Sequence, residues 1–252
     1  MSGSESELTR DRFDAVLFDL DGVLTDTAGV HADCWKRTFD EFLSRRAGDS
    51  FDPFDIESDY RLYVDGKRRY DGVRDFLHSR GIDLPEGSPG DPPDAETVCG
   101  VGNRKNVLVN QALEEGRVEV YQGSVALLRA LREAGKKTGV VSSSANCAAV
   151  LRAAEIDDLF QVRVDGKVAA QLDLPGKPAP DTFLEAAREL GVDVKRTLVV
   201  EDAISGVQAG RGGGFGLVIG IARHDEPGVL REQGADLVVS DLGELSGPAK
   251  GG

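Results

Sequence analysis

The chain has 252 residues, a formal net charge of −14 and three cysteines, a length that suits one large domain or two modest ones with ample core. The acidity argues against a nucleic-acid backbone as partner, and the scattered, odd-numbered Cys34, Cys99 and Cys147 exclude a disulfide framework or a zinc spacing, which points to the reducing cytoplasm. No apolar run is long enough to span a membrane, and the polar N-terminus has no apolar signal segment.

Residues 1–12 read as a disordered leader. The apolar run from Phe13 to Leu20 ends in Asp-Leu-Asp-Gly, which predicts a strand entering a glycine-containing loop. From His31 the period changes. HADCWKRTFDEFLSRRAG places Trp35, Phe39, Phe42 and Leu43 at helical spacing and stops at Gly48, with Trp35 read as core. YRLYVDGKRRYDGVRDFLHSRGI reads as a loop flanked by helical stretches, LPEGSPGDPPD (84–94) as a surface loop, and RKNVLVNQALEEG as a further helix. No firm strand is predicted over 31–117, so this stretch is a helical insert.

After Tyr121 strands and helices alternate. SVALLRALREAG is a helix, KTGVVSSS a strand entering a serine loop, NCAAVLRAAEI a helix and FQVRVDG a short strand. APDTFLEAARELGV is a helix, RTLVVED a strand ending in two acids, AISGVQAGRGGG a helix, and FGLVIGI and GADLVVS are strands. The glycines of GRGGG follow a helix rather than open one, so they read as a helix end and connector. SGPAKGG reads as a frayed tail. The alternation implies a parallel sheet covered by helices on both faces, with ligands beyond the carboxyl ends of the strands.

Those strand ends carry the chemistry. One offers Asp19 and Asp21, one Ser142, Ser143 and Ser144, and one Glu201 and Asp202, while Lys177 stands in the Gly/Pro loop PGKPAPD. Residues two apart in extended chain face the same way, so Asp19 and Asp21 both reach one substrate. With Asp202 they also suit a hard cation such as Mg²⁺, which prefers oxygen ligands. One carboxylate can attack phosphorus and form an acyl-phosphate, and the other can protonate the leaving oxygen. Ser142 can donate a hydrogen bond to the transferring group, and Lys177 supplies a compact positive charge.

DLDGVLTDT, VVSSS, GKPAPD and VVEDA resemble, in order and spacing, the four motifs of the haloacid dehalogenase superfamily, and the resemblance covers nearly the whole chain. It implies an α/β, Rossmann-like core with a parallel sheet at 1–30 and 118–252, and a helical C1 cap at 31–117. It implies Asp19 as nucleophile and Asp21 as general acid/base. Asp19, the Asp21 carbonyl and Asp202 would bind Mg²⁺ with support from Glu201, and Ser142, Ser143 and Lys177 would bind phosphate. Dehalogenases of the superfamily lack the second Asp, so Asp21 favours phosphoester chemistry.

DLDGVLTDTAGVHADCWK, GNRKN, VDGKRRYDG and SSSAN are closer still to the β-phosphoglucomutases and their sugar-phosphatase relatives. That likeness adds Thr27, His31, Gly66, Arg69, Lys105, Ser144 and Asn146 as substrate-binding residues. Two departures reduce the positive charge: Asp65 stands where the mutases carry Lys and Ala145 where some of them do, with Lys67 or Arg68 as the available compensation. The expectation is a cytoplasmic, monomeric, Mg²⁺-dependent enzyme that transfers a phosphoryl group through an aspartyl-phosphate. It would interconvert β-glucose 1-phosphate and glucose 6-phosphate, with glucose 1,6-bisphosphate as intermediate. A sugar-phosphate phosphatase using the same residues is the alternative, and a non-catalytic phosphosugar-binding regulator is a third reading.

Overall fold

The computed structural model describes residues 12–116, 118–223 and 227–245. The tail at 246–252, and the leader apart from its last residue, lie outside the described residues. In chain order the elements are β1 (Ala15–Phe18), α1 (Ala28–Ala47), α2 (Arg69–Ser79), α3 (Val98–Glu114), α4 (Gln122–Glu133), β2 (Lys137–Val141) and α5 (Cys147–Ala153). There follow β3 (Val162–Val164), α6 (Gly166–Gln171), α7 (Asp181–Leu190), β4 (Thr197–Glu201), α8 (Ile204–Gly212), β5 (Leu217–Ile221), α9 (Pro227–Glu232) and β6 (Leu237–Val239). The chain divides into two compact units, 1–26 with 118–252, and 27–117. No helix among the described residues is long and apolar enough to cross a membrane.

The first unit is built on six parallel strands in the order β3-β2-β1-β4-β5-β6. Every residue of β1 and β4 is buried, because a parallel strand covered on both faces is an unbroken apolar run rather than an alternating one. Ala15, Leu17 and Val199 pack with Phe183, Ala186 and Ala187 of α7, whereas Val218 packs with Val207 of α8 and Leu230 of α9. The chain leaves α7 through Gly191 in the left-handed region, a helix stop that glycine takes without a Cβ penalty.

The second unit is helical and has an aromatic centre. The Phe39 ring lies 5.1 Å from Trp35, 5.2 Å from Phe54 and 4.1 Å from Phe76, so a helix on the expected Trp35–Phe39–Phe42 stripe buries that face. A single π-helical turn, Tyr60–Val64, precedes α2.

The structure extends the sequence reading in three places. α3 begins at Val98 rather than at Arg104: Thr97 caps it by accepting from the Gly100 amide, and Gly100 and Gly102 in the first turns mask the helical pattern. α6 is a second addition. It is started by buried Asp165, whose carboxylate accepts from the Lys167 and Val168 amides. α9, six residues long, is the third.

Candidate active site

Strand register brings the acids together. Phe18 of β1 stands beside Val200 of β4, and the Asp19 amide donates to the Val200 carbonyl at 2.9 Å, so Asp19 and Glu201 leave neighbouring strand ends. β1 and β4 are also where the strand order reverses, the crevice that open parallel sheets use for ligands. Asp19 and Glu201 are both buried there, at 7% and 0% exposure.

Lys177 makes this burial tolerable. Its Nζ lies 2.5 Å from Asp19 Oδ1 and 2.5 Å from Glu201 Oε1, and it donates to the Val141 carbonyl at 3.2 Å. The Glu201 contact is an ion pair at the same distance as the Asp19 contact. Burial raises the Asp19 carboxyl above the usual range; the Lys177 charge opposes this and the Asp21 charge adds to it. Burial likewise pushes Glu201 up to about 8, against the pull of Lys177 and with the push of Asp19. Burial works to discharge Lys177, but the two carboxylates outweigh it and raise its pKa.

Two buried acids thus share one cation, and a third acid stands beside them. Asp19, Glu201 and Asp202 each offer a carboxylate oxygen, all within 4.8 Å of one another. Three hard oxygen donors with excess negative charge fit Mg²⁺, which keeps its remaining positions for water or phosphate. Two glycines make room for the cluster. Gly22 has φ +81°, and a Cβ there would lie 1.7 Å from Asp202 Oδ2. A Cβ at Gly206, in the first turn of α8, would lie 2.0 Å from the Glu201 carboxyl. Gly206 escaped the sequence reading, although a glycine five residues after a strand-end acid was the available signal.

The other expected residues of this unit fall on the same sheet edge. Asp21 is half-buried and bridges to Thr25, and its charge acts on Asp19. Ser142 is buried at the exit of β2, one residue past the carbonyl that Lys177 holds, and its Oγ accepts from the Ser144 amide. Ser144 Oγ in turn accepts from the amide of Asn146, the residue before α5. Ser143 lends its carbonyl to the wall against Gly166, where a Cβ would come within 2.6 Å.

Thr27, His31, Gly66, Arg69 and Lys105 belong to the helical unit. Thr27 is buried just before α1, and its carbonyl accepts from the His31 amide. Lys105 is buried on α3, with Nζ 2.7 Å from His31 Nδ1 and 5.0 Å from the Trp35 ring centre. An ammonium only donates, so Nδ1 accepts and the ring is neutral; burial, then the Lys105 charge, hold His31 well below its ordinary pKa. Gly66 takes φ +68° in the turn before α2. Arg69 Nη2 donates to Tyr70 OH at 3.0 Å and Asn103 Oδ1 at 3.3 Å, with the guanidinium over the Tyr70 ring. Asn103 also donates to the Pro89 and Asp91 carbonyls, tying the 84–94 loop to Arg69, a role that its place in GNRKN did not reveal. Lys67 does not serve as the compensation for Asp65: its Nζ binds Asp75 Oδ2 at 2.8 Å and the Leu62 carbonyl.

Residues 13–214 match the haloacid dehalogenase-like hydrolases. The chain is 52% identical, over 92% of its length and 90% of the relative's, to the β-phosphoglucomutase of Mycobacterium bovis. Among solved structures it is similar to the β-phosphoglucomutase of Clostridium difficile, with 25% identity, a TM-score of 0.72, and 92% and 93% of the two chains covered. It is also similar to CbbY of Rhodobacter sphaeroides in complex with xylulose-(1,5)bisphosphate, with 25% identity, a TM-score of 0.69, and 92% and 96% covered.

Proposed function

Because the chain belongs to the haloacid dehalogenase-like hydrolase family, we propose that it is a β-phosphoglucomutase, an enzyme of the family's phosphoryl-transfer type that converts β-glucose 1-phosphate to glucose 6-phosphate. The observation that carries the reading is the Lys177-bridged pair Asp19 and Glu201 at the reversal of strand order, in a chain half identical to a β-phosphoglucomutase over nearly its whole length.

Asp19 is the nucleophile. One of its oxygens bonds to phosphorus as the bond from phosphorus to the sugar oxygen breaks, and Asp21 gives that oxygen its proton. In the return step Asp21 takes the proton of the incoming sugar hydroxyl as that hydroxyl attacks the aspartyl-phosphate. Ser142, Ser143 and Lys177 hold the transferring group. Asp19, Glu201 and Asp202, with the Asp21 carbonyl, would hold Mg²⁺, which would supply charge neutralisation at the phosphate oxygens.

A mutase must also hold the distal phosphate of glucose 1,6-bisphosphate and keep water from the aspartyl-phosphate. We assign the first task to Arg69, Ser144 and Asn146, with Thr27, His31, Gly66 and Lys105 completing the sugar site. The 27–117 unit serves as the water-excluding cap. On this reading the enzyme works as a cytoplasmic monomer on free sugar phosphates.

A sugar-phosphate phosphatase is the second reading, favoured by Asp65: Lys67 is committed to Asp75, so the charge lost with the mutase lysine is not restored from that side. Incubation with β-glucose 1-phosphate, Mg²⁺ and catalytic glucose 1,6-bisphosphate separates the two. Glucose 6-phosphate as the main product supports the mutase, whereas stoichiometric free phosphate and glucose overturn it in favour of the phosphatase.

A further inference from the structure

Arg223 lies two residues past β5 and holds segments remote in sequence. Its Nε donates to the Gly22 carbonyl at 3.1 Å, and Nη1 donates to the Ser240 carbonyl at 3.0 Å and lies 3.2 Å from Asp241 Oδ2. The guanidinium carbon stands 3.6 Å from the centre of the Tyr121 ring, and the side chain is 13% exposed. The Tyr121 hydroxyl donates to Asp26 Oδ1 at 2.8 Å. Arg223 therefore reaches the 19–26 loop twice: directly at Gly22, the residue after Asp21, and through Tyr121 at Asp26, where the loop ends.

The loop between these points is closed on itself. The Gly22 amide donates to the Thr25 carbonyl, and the Leu24 and Thr25 amides donate to the Leu20 carbonyl. Its far end pairs with the returning chain, Asp26 amide to Glu119 carbonyl and Tyr121 amide to Leu24 carbonyl. A loop so bonded moves as a piece, and the Gly22 peptide that Arg223 grips also forms the surface against Asp202.

We infer that Arg223 is a positioning residue: with Tyr121 it fixes the 19–26 loop so that the Asp21 carboxyl meets the leaving oxygen. Arginine suits the task because one planar cation both forks hydrogen bonds and stacks on a ring, whereas the lysine ammonium offers a point charge without that geometry. The inference rests on the acid/base reading of Asp21.

The test compares two substrates. β-Glucose 1-phosphate has a leaving oxygen that needs a proton, and p-nitrophenyl phosphate has one that does not. Arg223→Ala should lower kcat on the sugar phosphate about ten- to a hundredfold, the scale of a catalytic group misplaced by about 1 Å, and lower it less than about threefold on p-nitrophenyl phosphate. Arg223→Lys should retain the larger part of the loss. Tyr121→Phe, which keeps the ring and frees Asp26, should show a weaker form of the same selectivity. Equal losses on both substrates, or none on either, would overturn the inference, because a general scaffold role does not distinguish leaving groups. Asp21→Asn is measured alongside. If it shows the selectivity and Arg223→Ala does not, the inference alone fails. If Asp21→Asn shows none, the acid/base reading fails and the inference falls with it.

Discussion

Lys177 in the sheet unit and Arg69 in the helical unit are cations anchored by opposite means. Lys177 is buried between two carboxylates, so its charge is already matched. Arg69 is steadied by a phenol hydroxyl, an amide oxygen and a ring face, all neutral. The first arrangement sets the charge and position of Asp19, and the second presents a cation that is oriented but not neutralised by those contacts. On the proposed function, Lys177 serves Asp19 and the transferring phosphoryl group, and Arg69 serves the distal phosphate.

The comparison breaks most sharply at Asp19. Asp19→Asn keeps the shape and removes the anionic nucleophile, so turnover of β-glucose 1-phosphate should fall to background. Its folding stability should be unchanged or higher. Burial raises the Asp19 pKa, so an ionised Asp19 is less favourable in the fold than in the unfolded chain, and Glu201 still pairs with Lys177. Activity assays and thermal melts of one preparation check both, and a large loss of Tm would contradict the charge balance described.

Lys177→Met should do the reverse to stability. It leaves two buried carboxylates without their cation, a change that costs about 3–5 kcal/mol in comparable buried pairs. Urea unfolding measures it, and a loss below about 1 kcal/mol would show that Lys177 does not hold the acids together.

Arg69→Ala should lower mutase turnover about ten- to a hundredfold, the equivalent of about 1.5–3 kcal/mol for a charge-assisted contact to phosphate. Hydrolysis of a small phosphoester without a distal phosphate should change little. Equal losses would remove Arg69 from the distal site.

The smallest effect is at His31. Its pKa is depressed in the fold, so the stability that depends on its neutral form is complete above pH 6.5 and declines as pH falls from 6.5 toward the folded value. The unfolded chain takes up the proton first, at up to about 1.4 kcal/mol per pH unit. Melting curves between pH 8 and 5 should show a steeper acid decline for the wild type than for His31→Asn, and parallel curves would contradict it.

Much of this was legible in the sequence because strands report their own ends. Asp19, Ser142, Glu201 and Asp202 each close an apolar run, and parallel register alone brings such ends to one edge. The helical stripe of Trp35 and Phe39 was legible for the same local reason. What stayed hidden depends on contacts that no local period encodes. Arg223 meets Gly22 across 201 residues, and Asn103 meets Arg69 across 34. Lys67 offered itself as a partner for Asp65 by proximity in sequence, but the turn of α2 gives it Asp75. Glycine positions such as Gly206 carried a signal only once the acid packed against them was known.

Whether Asp19 receives the phosphoryl group is read directly by rapid quench with β-glucose 1-phosphate and Mg²⁺, borohydride trapping and peptide mass spectrometry. An aspartyl-phosphate, reduced by the trap, is expected on the peptide containing Asp19 and should be absent in Asp19→Asn. A modification confined to any other residue, or full turnover with no modified peptide at any quench time, would contradict it.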